Sequence, residues 1–86
     1  MITRHDVAAR LKDYLHHRVS IGELVAWAEQ VMMDEELDPG DLQTLRDIVG
    51  RIGLADVRAF GLGWEDFEEY LSRLGYQARI EISPTR

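Results

Sequence analysis

Apolar residues recur at intervals of three and four positions through most of this chain, the pattern of amphipathic helices packed on a common core. The pattern predicts four helices, over about residues 3–18, 20–34, 38–52 and 63–74. Their apolar faces supply the predicted core: Val7, Ala8, Leu11, Tyr14, Leu15, Ile21, Leu24, Val25, Ala28, Val31, Met32, Leu42, Leu45, Ile48, Val49, Ile52, Phe67, Tyr70, Leu71 and Leu74. We therefore predict a mainly α-helical fold, a small four-helix domain of residues 1–86 with a frayed tail at 83–86.

Each predicted helix begins with the same signal, an N-cap residue between one apolar residue before it and another four positions inside the helix. The predicted N-caps are Thr3, Ser20, Asp38 and Gly63. Gly53 and Gly75 stand where C′ glycines would end the third and fourth helices. Gly50, inside the third helix, costs roughly 1 kcal/mol relative to alanine, which suggests a close helix crossing or a local bend.

The pattern changes at the end of the chain. Residues 76–82 alternate apolar and polar side chains, which is typical of a strand with one buried face. The apolar side chains of this face are Tyr76, Ala78, Ile80 and Ile82. Such a strand needs a partner for its backbone N–H and C=O groups. That partner is a second copy of the chain, another protein, or residues 54–60 of the same chain.

Residues 54–60 allow two interpretations. As a strand they would pair in parallel with residues 76–82, and the fourth helix would be the crossover between the two strands. As a short helical turn they would leave the C-terminal strand without a partner in its own chain. We favour the helical turn, because a lone two-stranded parallel sheet is uncommon.

The composition of the chain excludes some classes of function and favours others. The chain has no cysteine, which excludes disulfides and thiolate metal sites. No stretch is long and apolar enough to span a membrane and no signal peptide is visible, so we expect a cytoplasmic protein. The net charge is −6, and residues 20–47 hold eight acidic residues and one basic residue, for −7. This acidic middle disfavours nucleic acid and favours a basic protein partner, and without an apolar span we expect no membrane partner.

The histidines of the first helix are the candidate metal ligands. His5 and His16 share one face but lie about 16 Å apart along the helix, too far to bind one ion. Asp13 and His17 form an i,i+4 pair, and no third ligand is visible. A small metal-binding protein is therefore a minor alternative, and we expect no cofactor. No arrangement of nucleophile and base indicates catalysis, so we expect a protein that is not an enzyme.

The acidic run after the second helix is the leading candidate for a binding surface. It comprises Asp34, Glu35, Glu36 and Asp38. Asp38 favours the start of the third helix, whereas the other three lie near the end of the second helix, where negative charge is unfavourable. Helix stability therefore does not explain them.

We therefore expect a protein-binding module, of inhibitor, immunity or regulatory type, that uses the acidic surface and the C-terminal strand. Small acidic inhibitors of bacterial toxins, such as nuclease-immunity proteins, are similar in size and charge. The Asp-x-x-Tyr-Tyr-Pro signature of the colicin-type family is absent from this sequence. The alternative is a structural homodimer that pairs through residues 76–82 and has no foreign partner.

Overall fold

The computed structural model describes residues 1–55 and 63–77, and this part of the chain is mainly helical. Its elements, in chain order, are α1 (Arg4–Leu15), α2 (Ile21–Asp34), a 3₁₀ turn (Pro39–Asp41), α3 (Leu42–Ile52) and α4 (Trp64–Arg73). The predicted mainly α-helical fold with four helices is confirmed for these residues. None of the described helices is long and apolar enough to cross a membrane.

The predicted C-terminal strand is not confirmed. Tyr76 and Gln77 follow α4 without strand structure, and the rest of the predicted strand, Ala78, Ile80 and Ile82 included, lies outside the described residues. So does the predicted frayed tail at 83–86. Leu54 and Ala55 lie in a turn after α3, and residues 56–60, on which the choice between strand and helical turn depends, are likewise outside.

The helix starts follow from local side-chain chemistry. Thr3 and Ser20 each accept a hydrogen bond from the backbone N–H three residues later, at 3.4 and 3.1 Å. In return the Asp6 and Glu23 carboxylates accept from the backbone N–H of these N-caps, at 2.8 and 3.1 Å. Gly63 donates its N–H to a carboxylate three residues later, at 2.7 Å. These three predicted N-caps are confirmed.

The third helix begins later than predicted. Asp38 is an N-cap, but its carboxylate accepts from the N–H of Gly40, at 3.0 Å, and begins the 3₁₀ turn. The α-helix starts only at Leu42. Pro39 permits the turn, because its missing N–H would have no partner in the first turn of a helix.

The first helix ends earlier than predicted, at Leu15 rather than near residue 18. His17 has φ 60°, in the left-handed region. Its N–H donates to the Tyr14 carbonyl at 3.0 Å, and the Arg18 N–H donates to the Asp13 carbonyl at 2.8 Å. These two bonds form a Schellman motif, which ends the helix without glycine.

The three glycines singled out from the sequence differ in role. Gly75, with φ 91°, ends α4 in the predicted C′ position. Gly53 follows the last residue of α3 but has φ −61°, so it is not the predicted left-handed C′ glycine. A Cβ added at Gly50 would meet no atom of the described residues within 4 Å, so the predicted close helix crossing is not found among them.

The core lies between the apolar faces of all four helices, and α2 packs most extensively against α3. The buried cluster comprises Val7, Ala8, Leu11, Leu24, Ala28, Val31, Leu45, Ile48, Val49, Ile52, Phe67, Tyr70, Leu71 and Leu74. Tyr14, Leu15 and Ile21 are only partly buried against it, and Tyr14 stacks on Phe67 with ring centroids 5.5 Å apart. Most of the predicted core is therefore correct.

A parallel β-bridge joins the N-terminus to the connection between α2 and α3. The Ile2 N–H donates to the Glu36 carbonyl at 2.7 Å, and the Asp38 N–H donates to the Ile2 carbonyl at 2.9 Å. Ile2 and Leu37 both pack against the core. The bridge thus holds the backbone of the acidic run in one conformation.

Candidate functional site

The acidic run forms a defined turn, which we call the acidic turn: Asp34, Glu35, Glu36 and Asp38. The first three side chains are exposed, whereas Asp38 is partly buried and caps the 3₁₀ turn. The β-bridge to Ile2 fixes the backbone between them. Three carboxylates therefore project from a backbone that the fold holds in place.

No basic residue neutralises the acidic turn within the described part of the chain. The ion pairs of residues 1–55 and 63–77 join Arg18 to Asp13, Arg51 to Asp66 and Glu69, and Arg73 to Asp47. Each of them uses acids outside the acidic turn. The basic residues of the described part of the chain thus leave the charge of the turn unpaired.

An apolar groove lies between α2 and α3, and we call it the methionine groove. Met32 and Met33 from α2 and Leu54 after α3 line it, with 46%, 81% and 47% of their surfaces exposed. Gly50 lies on its α3 side and leaves it open. Its volume is about 460 Å³, and Glu29 is the charged residue that lines it. The prediction that Met32 belongs to the core is therefore wrong.

The methionine groove and the acidic turn are adjacent along the chain. Met33 ends the apolar side and Asp34, the last residue of α2, begins the acidic side. An apolar centre with a charged margin is the arrangement found in protein interfaces. Methionine suits such a centre, because its unbranched side chain adapts to partners of different shape.

A second groove lies between α1 and α4, and we call it the basic groove. Lys12, His16 and the small Ala8 and Ala9 line it on the α1 side. On the other side it is lined mainly by apolar and aromatic residues, Trp64, Leu71 and Tyr76. Its volume is about 660 Å³. Basic and aromatic groups therefore face the same space.

Tyr76 lies in the basic groove rather than at the acidic turn. Its hydroxyl is hydrogen-bonded to Nδ1 of His5, and the two rings meet edge to face with centroids 5.7 Å apart. Its neighbour Gly75 approaches Arg4, whose Nη1 lies 3.5 Å from where a Cβ would stand. The structure thus separates this predicted binding residue from the four acidic ones and attaches it to α1.

The histidine alternative gains no support from the geometry. His17 lies beyond the end of α1, so Asp13 and His17 are not an i,i+4 pair on a helix face. His5 contacts Tyr76 and His16 lines the basic groove. Within residues 1–55 and 63–77, no group of three or more histidine, aspartate or glutamate side chains is placed to bind a metal ion.

Tyr70 is the buried residue with an unusual polar environment. Its hydroxyl has no hydrogen-bond partner in the part of the chain that the structure describes. Burial raises the pKa of the Tyr70 hydroxyl above its usual value of 10.0, against the opposing effect of the Arg51 guanidinium. That guanidinium lies over the Tyr70 ring, 5.3 Å from its centroid. Because Tyr70 lines neither groove, we interpret it as a core residue.

Comparison of the chain with protein-family models, with curated proteins and with solved structures gives no match. The interpretation of its surfaces therefore depends on their own geometry and charge.

The sequence identified the acidic turn but missed the residues that complete both grooves. Met33 lies off the helical apolar stripe and beside three acids, a signal that would have marked it as a surface apolar residue. Lys12 and Trp64 lie 52 positions apart in the sequence. No local pattern could have placed them in one groove.

Proposed function

We propose that this protein is a binding module for a basic protein, of inhibitor, immunity or regulatory type, and that the partner docks on the acidic turn and the methionine groove. One observation carries the proposal. The strongly exposed Met33 is followed directly by three exposed carboxylates that make no ion pair with the described residues. Neither property contributes visibly to the stability of this chain alone.

The apolar part of the proposed binding surface consists of three side chains around the methionine groove. Single exposed apolar residues are normal on protein surfaces, whereas a cluster indicates a surface that binds something. Met32, Met33 and Leu54 form such a cluster, and Gly50 lets a partner approach the α3 backbone closely. Burial of such groups releases about 25 cal/mol for each Å² of apolar surface.

The charged contribution sets the class of partner. The chain carries −6 overall, and residues 20–47 hold eight acidic residues and one basic residue, for −7. Such a field accelerates encounters with a basic surface and repels acidic ones. It also weighs against a second copy docking here, because that would bring two negative surfaces together. We therefore favour a foreign partner over self-association at this face.

The C-terminal strand remains a prediction. Residues 76–82 would add a strand to the sheet of the partner or pair with a second copy. The solution mass of the full chain, measured by light scattering, separates these roles. A dimer whose mass halves when Ile80 and Ile82 are changed to aspartate would support the structural homodimer. A monomer would exclude pairing between copies and leave a foreign partner or residues 54–60 of the same chain.

The experiment compares two double variants of equal charge. Glu35→Gln/Glu36→Gln neutralises the acidic turn, and Glu65→Gln/Glu68→Gln neutralises two exposed residues of α4. Proteins bound by each form in extracts of the source cells are identified by mass spectrometry. The identified partner is then purified, and its dissociation constant is measured at several salt concentrations.

We expect a basic partner that the acidic-turn variant binds roughly three- to tenfold more weakly, because exposed charges contribute about 0.2–1 kcal/mol each. Affinity should fall as salt rises, and less steeply in that variant. The α4 variant should bind almost as well as the wild type. Equal losses in both variants would show that net charge, and not this face, determines binding, and the proposal would then be wrong.

A further inference from the structure

The basic groove stands out by its charge in a strongly acidic protein. The described residues that line it include His5, Lys12 and His16 and no acidic side chain. A neighbouring groove on α4 contains Glu65, Glu68 and Glu69, and the methionine groove contains Glu29. The chain as a whole carries −6. Of these three grooves in the described part of the chain, the basic groove alone has no acidic lining residue.

The spacing of residues on α1 brings one lysine and two histidines to the same groove. Lys12 and His16 lie seven and eleven positions after His5. These separations correspond to about two and three helical turns, so all three side chains project from one face. Ala8 and Ala9 lie between them, and their small side chains form the floor of the groove. Lys12 makes no ion pair with the described residues.

Aromatic rings form the opposite side. Trp64 stands at the first position of α4, and Tyr76 follows the end of the same helix. The left-handed Gly75 turns the chain there, and the hydrogen bond to His5 holds Tyr76 against α1. Planar rings on one side, and the Lys12 ammonium with histidine nitrogens on the other, suit a ligand that has both a flat ring and a negative group.

We propose that the basic groove binds a small molecule with a planar aromatic ring and a phosphate, sulfonate or carboxylate group. The volume of about 660 Å³ lies within the range of small-molecule sites. The anionic group would face Lys12 and His16, and the ring would lie against Trp64 and Tyr76. This site does not depend on the proposed protein-binding function, because it uses α1 and α4 rather than α2 and α3.

Two probes of this chemistry test the site: adenosine 5′-monophosphate and naphthalene-2-sulfonate. Each is titrated into the full ¹⁵N-labelled chain, and amide and indole shifts are followed by NMR. Adenosine and naphthalene-2-sulfonamide serve as counterparts without the negative charge. Ribose 5-phosphate and methanesulfonate serve as counterparts without the aromatic ring.

We expect at least one probe to give saturable shifts at the amides of Ala8 and Ala9 and at the Trp64 indole. Its counterpart without the negative charge and its counterpart without the aromatic ring should each bind at least tenfold more weakly. Lys12→Met should weaken the probe at least fivefold, and Ala9→Leu should do the same by filling the floor. Arg46→Met removes an equal charge from an exposed position on α3 and should change little.

Several results would overturn the proposal. One is that neither probe gives saturable shifts at 10 mM. Another is that a probe binds no better than its uncharged or ringless counterpart. Equal weakening by Lys12→Met and Arg46→Met would also contradict it. So would nuclear Overhauser contacts between the Ile80 or Ile82 methyl groups and Trp64 that persist at saturating probe. In that case the chain itself would occupy the groove. Circular dichroism of each variant confirms that it is folded.

Discussion

At the scale of single residues, Tyr70 occupies a core position at which the shape of the side chain matters more than its polarity. Its ring is fully buried among the helices, but its hydroxyl has no partner in the described residues. A buried polar group without a hydrogen bond costs about 1–3 kcal/mol. The position therefore favours an aromatic ring and gains nothing from the oxygen.

Tyr70→Phe should consequently keep the free energy of unfolding at pH 7 or raise it by up to about 1 kcal/mol. Burial raises the pKa of Tyr70, so the native state resists ionisation that the unfolded chain undergoes near pH 10.0. This contribution to stability is present below that pH and is lost as pH rises further. The variant should lose less stability in alkali. Urea unfolding at pH 7 and pH 10.5 measures both effects, and a loss of 2 kcal/mol or more at pH 7 would show that the hydroxyl has a partner.

His17 is the described non-glycine residue in the left-handed region. That conformation costs most residues about 1–2 kcal/mol. His17→Gly should therefore raise the free energy of unfolding by about 1 kcal/mol, in spite of the greater flexibility of glycine in the unfolded chain. His16→Gly is the matched control: His16 has φ −91°, so glycine there should lower stability. Thermal unfolding compares the two, and equal losses would contradict the left-handed assignment.

At the scale of the helices, Gly50 is a weak point that packing does not require. It lies within α3, yet an added Cβ would meet no atom within 4 Å in the part of the chain that the structure describes. Gly75 differs, because its φ of 91° is strained for any other residue. Gly50 is a candidate for a role in binding, because the missing side chain leaves the methionine groove open.

Gly50→Ala should raise the free energy of unfolding by roughly 1 kcal/mol, because alanine favours the helix and meets no obstacle. Gly75→Ala should lower it by a similar amount, because the left-handed conformation penalises a Cβ. Denaturant unfolding of the two variants gives the comparison. If Gly50→Ala destabilised the protein, an unseen contact would have to fill the space above α3.

The helices show where sequence patterns suffice. Thr3 and Ser20 were identifiable as N-caps because their partners lie three residues away, and the choice is made locally. The end of α1 at His17 was not identifiable in the same way. A Schellman motif whose left-handed residue is histidine and not glycine has no characteristic sequence. Met32 was assigned to the core because periodicity finds the apolar stripe of a helix but not which edge a neighbouring helix covers.

At the scale of the whole molecule, the features that matter for function are non-local. The β-bridge between Ile2 and Leu37 holds the acidic turn, and its two residues are 35 positions apart. The basic groove likewise combines Lys12 with Trp64. The sequence predicted the charge of the acidic turn, but the fold decides what lies beside each charge. Candidate surfaces were therefore only partly predictable.

The two surfaces differ in the charge of their lining residues. The face formed by α2 and α3 combines acids with exposed methionines, whereas the groove between α1 and α4 combines bases with aromatic rings. A basic protein and a small anion would therefore bind at different places. Glu35→Gln/Glu36→Gln should leave the affinity of the basic groove for its probes within about twofold, because neither glutamate lines the groove and exposed charges interact only weakly through salt solution. Titration of that variant with the NMR probes tests this independence.

Site-specific photocrosslinking tests the central proposal most directly. A benzoylphenylalanine is placed at Met33 in one form and at Ser72, an exposed position on α4, in another, and each is irradiated in the source cells. Binding at the methionine groove predicts one adduct with a basic protein from position 33, weakened by Glu35→Gln/Glu36→Gln, and none from position 72. An adduct of two copies of this chain, or equal adducts from both positions, would contradict it.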